Sequence, residues 1–249
     1  MLKLKKKLET EKTNLLITRP EKDSIILSKC FDPKRFNLFI SPLIEIKKME
    51  YKFNKKNRYD LIIFTSKNGV FNFNFLTKKD KVVVIGDGTN AILKNRGIKN
   101  IVNVNGDLQN LKKKIRPLLR KKMAILHPTS TDLNNDLKKF LIDEGCYYYP
   151  LGCYNSEMKN SRPEVFESFF NSCKEGIITI FSRRTAKSFK NEISKMGQLQ
   201  SYREKIILVL SELIKNELMG IGFKKIFITE EPNEKSMLRL INKNSQEEL

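Results

Sequence analysis

An internal repeat restricts the possible folds of this sequence more than any other feature. The apolar segment Leu61–Phe64 leads through Ser66 into a short helical pattern, and Gly176–Phe181 leads through Ser182 in the same way. The two serines are separated by almost half of the 249 residues. A strand that runs through a polar turn into a helix is the building block of α/β sheets. The repeat therefore predicts two facing α/β domains, and we expect the functional site in the cleft between them.

The alternation of apolar strands and helices continues along most of the chain. Leu15–Ile46 matches Ala124–Tyr154, and Leu61–Ile115 matches Ile177–Ile241, element for element. Such strands are typical of parallel sheets covered by helices on both faces. The extended segments between the α/β blocks are candidates for a two-stranded connector. The segments that predict strands are 14–18, 36–40, 43–46, 61–64, 81–85, 101–104, 123–126, 146–154, 177–181, 205–210 and 225–229.

Cysteine and histidine are too scattered for a metal site or a catalytic triad. The cysteines contain no C-x-x-C pair, and His127 is the only histidine. A zinc site needs closely spaced soft ligands, and a triad needs a nucleophile motif. Isolated cysteines also fit a reducing cytoplasm. The four cysteines are Cys30, Cys146, Cys153 and Cys173.

No segment predicts export or membrane insertion. Met1–Lys7 is charged but precedes no apolar region, so we interpret residues 1–12 as a solvated extension. No apolar run approaches the ~20 residues of a membrane span. We expect a cytoplasmic protein without a membrane partner.

The formal net charge of +20 is typical of proteins that bind nucleic acids or other anions. Abundant lysine with little arginine is equally typical of codon bias spread over solvated faces, and that alternative stays open. Basic runs such as Lys112–Lys114 and Arg120–Lys122 fall at the ends of predicted helices, where cations favour the helix dipole. No zinc finger, RNP-type motif or basic zipper accompanies them. We therefore prefer a small polyanionic substrate to a nucleic acid.

Small hydroxyl residues, glycines and cations occupy the predicted carboxyl ends of the strands. Ligands of open α/β sheets bind at that edge, where helix N-terminal N–H groups favour carboxylates or phosphates. Ser66 and Ser182 are explained equally well as helix N-caps, and capping is compatible with ligand contact. The candidate binding residues are Arg19, Ser66, Lys67, Asn68, Gly86, Gly88, Thr89, Ser182, Arg183, Arg184 and Ser211.

One of these turns also matches a dinucleotide-binding motif. Gly86–Ala91 has the pattern G-x-G-x-x-A between a strand and a helix, and Asp107 follows about twenty residues later. Such a motif normally occupies the first turn of its unit, whereas this one follows the Ser66 turn. Its counterpart in the second copy, Leu210–Ile214, contains no glycine. A nucleotide is therefore the weaker hypothesis for the ligand.

The order of these motifs resembles that of the uroporphyrinogen-III synthase family over about residues 14–241. The arginine pair after Ser182 is similar to the version in alphaproteobacterial members. The resemblance rests on Leu16–Pro20, Phe64–Val70, Ile85–Thr89, Arg96–Ile98, the helical segment Leu133–Gly145 that leads to Tyr154, and Phe181–Ala186.

The resemblance implies an α/β fold of two flavodoxin-like parallel-sheet domains joined by a two-stranded β-ladder linker. One domain is expected to be discontinuous and the other continuous. The implied boundaries are 1–38 with 162–249 for domain 1, 53–145 for domain 2, and 39–52 with 146–161 for the linker.

The resemblance also implies an enzyme, a lyase of tetrapyrrole and heme biosynthesis that uses no cofactor or metal. Its substrate, hydroxymethylbilane, carries eight carboxylates, loses water and closes with inversion of ring D. Orientation supplies much of the catalysis, because unassisted closure gives the other isomer. Family members are monomers, and hydroxymethylbilane synthase is the expected supplier of substrate. The alternative is a non-catalytic two-domain protein that binds a small anion or nucleotide in the cleft.

Tyr154 matches the connector tyrosine of the family, which implies a role in departure of the substrate hydroxyl. A phenol keeps its proton at neutral pH and is able to donate it. From the residues alone, an ordinary strand tyrosine is the alternative. The turn Leu210–Ile214 lacks the glycine and threonines of the family, and Glu212 would repel substrate carboxylates. We expect this half of the cleft to be arranged differently, with a slow or inactive paralogue as the alternative.

Overall fold

The computed structural model describes residues 12–132, 135–172, 176–196 and 204–245. The basic extension up to residue 11 and Cys173 lie outside the described residues. The chain forms two compact units. Unit 1 contains Met1–Glu45 and Met158–Leu249, and unit 2 contains Ile46–Glu157. The domain boundaries implied by the resemblance stay a prediction.

Strands and helices alternate within the described residues, as the sequence pattern predicts. The strands are β1 (Thr13–Ile17), β2 (Phe36–Ile40), β3 (Ile44–Lys48), β4 (Leu61–Phe64), β5 (Val82–Ile85), β6 (Ile101–Val104), β7 (Ala124–Ser130), β8 (Tyr147–Met158), β9 (Ile177–Ile180), β10 (Ile206–Val209) and β11 (Lys225–Ile228). The helices are α1 (Glu21–Ser28), α2 (Lys67–Asn72), α3 (Asp87–Asn95), α4 (Leu108–Ile115), α5 (Asn135–Asp143), α6 (Pro163–Ser172), α7 (Arg183–Lys195), α8 (Glu212–Glu217) and α9 (Glu234–Asn244), with a 3₁₀ turn at Arg116–Leu118.

The two units have sheets of equivalent order. The sheet of unit 1 runs β2-β1-β9-β10-β11, and the sheet in unit 2 runs β3-β8-β7-β4-β5-β6. The pairs β1–β2, β1–β9, β9–β10 and β10–β11 are parallel, as are β7–β8, β4–β7, β4–β5 and β5–β6. The β4 and β9 strands, which carry the repeated serine turns, therefore occupy the same central position. This is the flavodoxin-like order, and the α/β fold class is confirmed.

Helices cover both faces of each sheet, because alternate strand residues point in opposite directions. In unit 1, Leu15 packs with Leu27 on one face, whereas Leu16 packs with Phe169 and Phe189 on the other. Burial of each such side chain contributes about 1.5–3 kcal/mol. These two cores hold the carboxyl ends of the strands at one edge.

The chain passes from unit 1 to unit 2 and back within β3 and β8. These strands are hydrogen-bonded neighbours at the edge of the six-stranded sheet. Lys159 N–H donates to the Leu43 carbonyl (2.9 Å), and Met49 N–H donates to the Cys153 carbonyl (3.1 Å). The role of this pair as a two-stranded linker stays a prediction.

Candidate active site

Arg19 lies at the switch point of unit 1, where the connections from β1 and β9 leave in opposite directions. Its guanidinium stacks on the Phe181 ring, 4.2 Å from the centroid. It also forms an ion pair with Asp23 at 3.6 Å and contacts the carboxylate of Glu234. The predicted binding residue is therefore engaged by an aromatic face and two carboxylates of its own unit.

Ser182 caps α7, which follows the central strand of unit 1. The Ser182 hydroxyl accepts a hydrogen bond from Thr185 N–H (3.1 Å) and shares a second with the Thr185 hydroxyl (2.8 Å). The next two residues are Arg183 and Arg184. Arg183 is exposed and approaches Glu217 at 3.5 Å. The predicted capping role is thus confirmed, and it places two cations in the first turn of the helix.

Ser66 has the same role in unit 2. Its hydroxyl accepts a hydrogen bond from Asn68 N–H (3.2 Å) at the start of α2. A Cβ atom at Gly69 would lie 2.5 Å from the carbonyl oxygen of Pro128. Glycine therefore allows α2 to approach β7 closely and fixes the position of Ser66 and Lys67.

These two equivalent helices differ from the other described α-helices in the charge at their N-termini. The first turn of α2 begins with Lys67 and that of α7 with Arg183 and Arg184, and neither contains an acidic residue. A cation at this end opposes the helix dipole, whereas an anion complements it. The helix dipole therefore does not favour these cations, whereas a bound anion would complement them. Acidic residues occur in the first turn or at the N-cap of the others: Glu21 and Asp23 in α1, Asp87 in α3, Asp107 in α4, Asp136 in α5, Glu164 in α6, Glu212 in α8 and Glu234 in α9.

The glycine turn before α3 is open on its outer side. Gly86 has a φ of +86°, which favours glycine, and no heavy atom lies within 4 Å of a Cβ built at Gly88. Thr89 is buried at 5% exposure. Asp87 accepts a hydrogen bond from Asn103 Nδ2 at 2.6 Å. The backbone of this turn is accessible to a ligand, although it carries a carboxylate of its own.

Asp107, the acidic residue of the dinucleotide hypothesis, caps α4. Its carboxylate accepts hydrogen bonds from Gln109 N–H (2.9 Å) and Asn110 N–H (3.1 Å). Capping of α4 accounts for an aspartate at this position, so no contact with the ribose of a nucleotide is needed to explain it. The nucleotide hypothesis is therefore not favoured.

The Ser211 turn of unit 1 differs from the equivalent turn of unit 2, which is the glycine turn before α3. Ser211 precedes α8 but its side chain makes no capping hydrogen bond. Glu212 occupies the first turn. Leu213 is 63% exposed. The position predicted to bind substrate thus presents a carboxylate and an apolar side chain beside the serine.

Tyr154 lies inside β8, and only 7% of it is exposed. Its carbonyl accepts a hydrogen bond from Thr131 N–H at 2.9 Å. The register places it opposite Ser130, at an irregularity in the β7–β8 pairing. This hydrogen bond and the pairing with β7 hold the backbone of Tyr154 in place.

The predicted strand 123–126 stops just before His127, and this predicted end was wrong. The β7 strand continues to Ser130, and His127 is buried within it. Its Nε2 lies 3.1 Å from the Thr65 hydroxyl and its Nδ1 lies 2.7 Å from the Tyr148 hydroxyl. Burial lowers the pKa of His127 to about 4 and raises the pKa of Tyr148 to about 12. The sequence signal for this group was a polar residue within, or directly after, each of three otherwise apolar strand segments.

Comparison with models of protein families shows to which family this chain belongs. The model of the family described as Uroporphyrinogen-III synthase HemD matches residues 31–239. The chain belongs to the uroporphyrinogen-III synthase family. Members are enzymes of heme biosynthesis, so family membership assigns the chain to that pathway.

Solved structures support the uroporphyrinogen-III synthase fold. A uroporphyrinogen-III synthetase from Helicobacter pylori superposes with a TM-score of 0.65 at 16% identity, over 94% of this chain and 100% of the other. A mutant uroporphyrinogen III synthase from the extremely thermophilic bacterium Thermus thermophilus gives a TM-score of 0.54 at 15% identity, over 95% and 100%. The comparison with curated protein sequences gave no match.

Two negative findings apply to the described parts of the chain. There, no group of three or more histidine, cysteine, aspartate or glutamate side chains is arranged to hold a metal ion. No described helix combines the length and apolar character that crossing a membrane requires.

Proposed function

We propose that this chain is a cytoplasmic, monomeric uroporphyrinogen-III synthase that acts as a lyase on hydroxymethylbilane. It removes water from the hydroxymethyl group and closes the macrocycle with ring D inverted, without a cofactor or metal. The observation that carries the proposal is the cationic first turn of α2 and α7, the helices that follow the two central strands. Hydroxymethylbilane synthase is the proposed supplier of the unstable substrate.

Both units contribute carboxylate-binding groups in this proposal. Ser182, Arg183 and Arg184 bind substrate carboxylates at the start of α7, where N–H groups, side-chain charge and helix dipole act together. Lys67 and Asn68, which follow Ser66, act in the same way in unit 2. Several fixed contacts of this kind hold the bilane in the orientation that favours the inverted product.

The remaining turns complete the proposed substrate contacts. Gly86, Gly88 and Thr89 offer accessible backbone at the start of α3. Arg19 contributes positive charge that Asp23 and Glu234 already reduce, so we give it a smaller share of the binding. Ser211 stays a proposed contact, weakened by the neighbouring Glu212.

Tyr154 is the proposed proton donor. Departure of hydroxide from the substrate is unfavourable at neutral pH, whereas protonation by a phenol lets the group leave as water. Nitrogen electrons of the pyrrole then stabilise the cationic carbon that remains, and ring closure follows. The buried and hydrogen-bonded backbone of Tyr154 holds this donor at a defined position.

Product analysis tests the proposal. Wild-type protein is mixed with freshly generated hydroxymethylbilane, and the uroporphyrinogen isomers are resolved after oxidation. We expect isomer III as the main product. Isomer I alone, with retained affinity for polycarboxylates, would indicate the non-catalytic binding protein instead.

A matched pair of variants tests the role of Tyr154. We expect Tyr154→Phe to lower the rate of isomer III formation about 100-fold, because the proton donor is lost and the ring is kept. Tyr147→Phe is the control, since Tyr147 lies on the same strand and is 52% exposed. Full activity of Tyr154→Phe would refute the assignment of the donor without refuting the synthase function.

A further inference from the structure

We infer that the Thr65 hydroxyl is a further substrate-binding group, which donates its proton to a substrate carboxylate because His127 and Tyr148 orient it. The inference rests on the proposed function. Thr65 and Ser66 follow directly after β4, so the hydroxyl lies at the carboxyl end of the central strand of unit 2. His127 and Tyr148 act as positioning residues behind it.

The three side chains form one hydrogen-bonded row across adjacent strands. Thr65 follows β4, His127 belongs to β7 and Tyr148 to β8, which are neighbours in the order β8-β7-β4. The Tyr148 hydroxyl lies 2.7 Å from His127 Nδ1, and His127 Nε2 lies 3.1 Å from Thr65 Oγ1. The row runs from the half-buried Tyr148 through the buried His127 to Thr65. Thr65 lies at the switch point of unit 2, where the connections from β4 and β7 leave in opposite directions. Ligands of open α/β sheets bind at that point.

The two distances assign the donors. The 2.7 Å contact is typical of an O–H donor, and the 3.1 Å contact is within the range of an N–H donor. Burial favours neutral imidazole, which has one N–H and one lone pair. Tyr148 therefore donates to Nδ1, and His127 carries its proton on Nε2 and donates to Thr65 Oγ1.

The Thr65 hydroxyl then has its own proton left to donate. In the described residues, Thr65 Oγ1 makes no hydrogen bond besides the one with His127. An acceptor must come from outside the described side chains, and the neighbouring cation Lys67 favours an anionic one. A carboxylate fits both groups, because it accepts from a hydroxyl and pairs with an ammonium.

The position of the single histidine proton gives a direct structural test. His127 is the only histidine, so untagged, uniformly ¹⁵N-labelled protein shows one imidazole in a long-range ¹H–¹⁵N correlation spectrum. We expect the proton on Nε2 in the wild type and its partial transfer to Nδ1 in Tyr148→Phe. A wild-type proton on Nδ1 would overturn the inference.

Uroporphyrin III, a stable octacarboxylate, is the probe for binding. We expect Thr65→Val to weaken its affinity about tenfold, which corresponds to one hydrogen bond to a charged group. His127→Leu should have a similar effect, whereas His127→Gln should restore affinity because its amide N–H replaces Nε2–H. Tyr149→Phe is the control, because Tyr149 lies on the same strand and is 44% exposed.

The binding and activity measurements separate the two proposals. In turnover, Thr65→Val should raise the KM for hydroxymethylbilane about tenfold with little change in kcat. Unchanged affinity and KM in Thr65→Val, or no rescue by His127→Gln, overturns the inference. A wild type that binds uroporphyrin III but forms no isomer III overturns the synthase function alone, and a wild type that binds no uroporphyrin III overturns both.

Discussion

The guanidinium of Arg19 lies 4.2 Å from the centroid of the Phe181 ring, where β1 and β9 end side by side. The same guanidinium contacts the carboxylates of Asp23 and Glu234, which belong to the first turns of α1 and α9. A single side chain therefore connects two helix N-termini with the central strands of unit 1.

Replacement of Arg19 should lower stability more than its single charge suggests. In Arg19→Met the apolar stem stays on Phe181, but Asp23 and Glu234 lose their common partner. Because the Arg19 side chain is 11% exposed, solvent screens its contacts less than those of a surface ion pair. We expect the free energy of unfolding in urea to fall by about 1–2 kcal/mol.

Arg35→Met is the matched control, since Arg35 is exposed and lies over Phe36 at 5.5 Å. It should change the free energy of unfolding by less than about 0.5 kcal/mol. An equal loss in both variants would contradict the connecting role of Arg19.

Removal of the first-turn cations should weaken substrate binding without lowering stability. We expect Lys67→Ala and Arg183→Ala each to raise the KM for hydroxymethylbilane about 5- to 20-fold, through loss of one charge-assisted contact. Their melting temperatures should stay equal or rise slightly, because a cation at a helix N-terminus opposes the dipole. Lys187→Ala removes an exposed charge from the same helix as Arg183 and should leave KM unchanged. A KM effect of similar size in Lys187→Ala would indicate only a general loss of positive charge.

Replacement of Gly88 by alanine should affect stability and ligand binding in opposite directions. An alanine Cβ there meets no heavy atom within 4 Å, so Gly88→Ala should stabilise α3 by up to about 1 kcal/mol. The same methyl group would block close approach of a carboxylate to the backbone. We therefore expect a higher melting temperature together with weaker binding of uroporphyrin III.

Gly69→Ala provides the opposite case. Its Cβ would lie 2.5 Å from the Pro128 carbonyl oxygen, so the variant should lose about 1–3 kcal/mol of stability. If both alanine variants lose stability equally, the open space at Gly88 does not exist in solution.

His127 should make the folded state sensitive to mild acid. The unfolded chain binds a proton at this side chain below about pH 6.5, but burial lowers the pKa in the folded state to about 4. Between these values the unfolded state binds more protons, so stability falls as the pH is lowered from 6.5 to 4. The full difference corresponds to about 3 kcal/mol.

Urea unfolding of wild type and His127→Gln at several pH values measures this contribution. Carboxylates titrate in both proteins, so the difference between the two free energies isolates the histidine. Below pH 6.5 we expect the wild type to lose more free energy of unfolding than His127→Gln, and above pH 7 we expect the difference between them to be constant. A constant difference down to pH 4 would show that His127 titrates normally in the folded protein.

The sequence predicted most of the fold because its apolar runs end at polar turns. The repeat around Ser66 and Ser182 predicted two parallel sheets, and both serines cap helices as proposed. The strand bounds differ by only one to a few residues for most elements, since proline, glycine and charged residues interrupt the apolar pattern close to the true ends.

The contacts of individual polar side chains were not predictable in the same way. Arg19 meets Glu234 across a sequence separation of 215 residues, and no local pattern relates the two. His127 was misplaced because β7 continues through Pro128, a residue that usually ends a strand. Such contacts depend on register between distant segments, which hydrophobic periodicity does not determine.

Unit 1 combines β1 and β2 from the start of the chain with β9, β10 and β11 from its end, whereas unit 2 is continuous. This arrangement determines when each unit is completed during synthesis. The β1 strand pairs with β9, and Thr18 donates its hydroxyl proton to the Thr179 carbonyl over a separation of 161 residues. At about 5–20 residues per second, the ribosome takes roughly 8 to 30 s to make the intervening chain. The continuous unit 2 emerges complete in that time, whereas the first strands of unit 1 wait with an unpaired edge. The rate of translation therefore sets how long the edge of β1 that pairs with β9 stays unpaired.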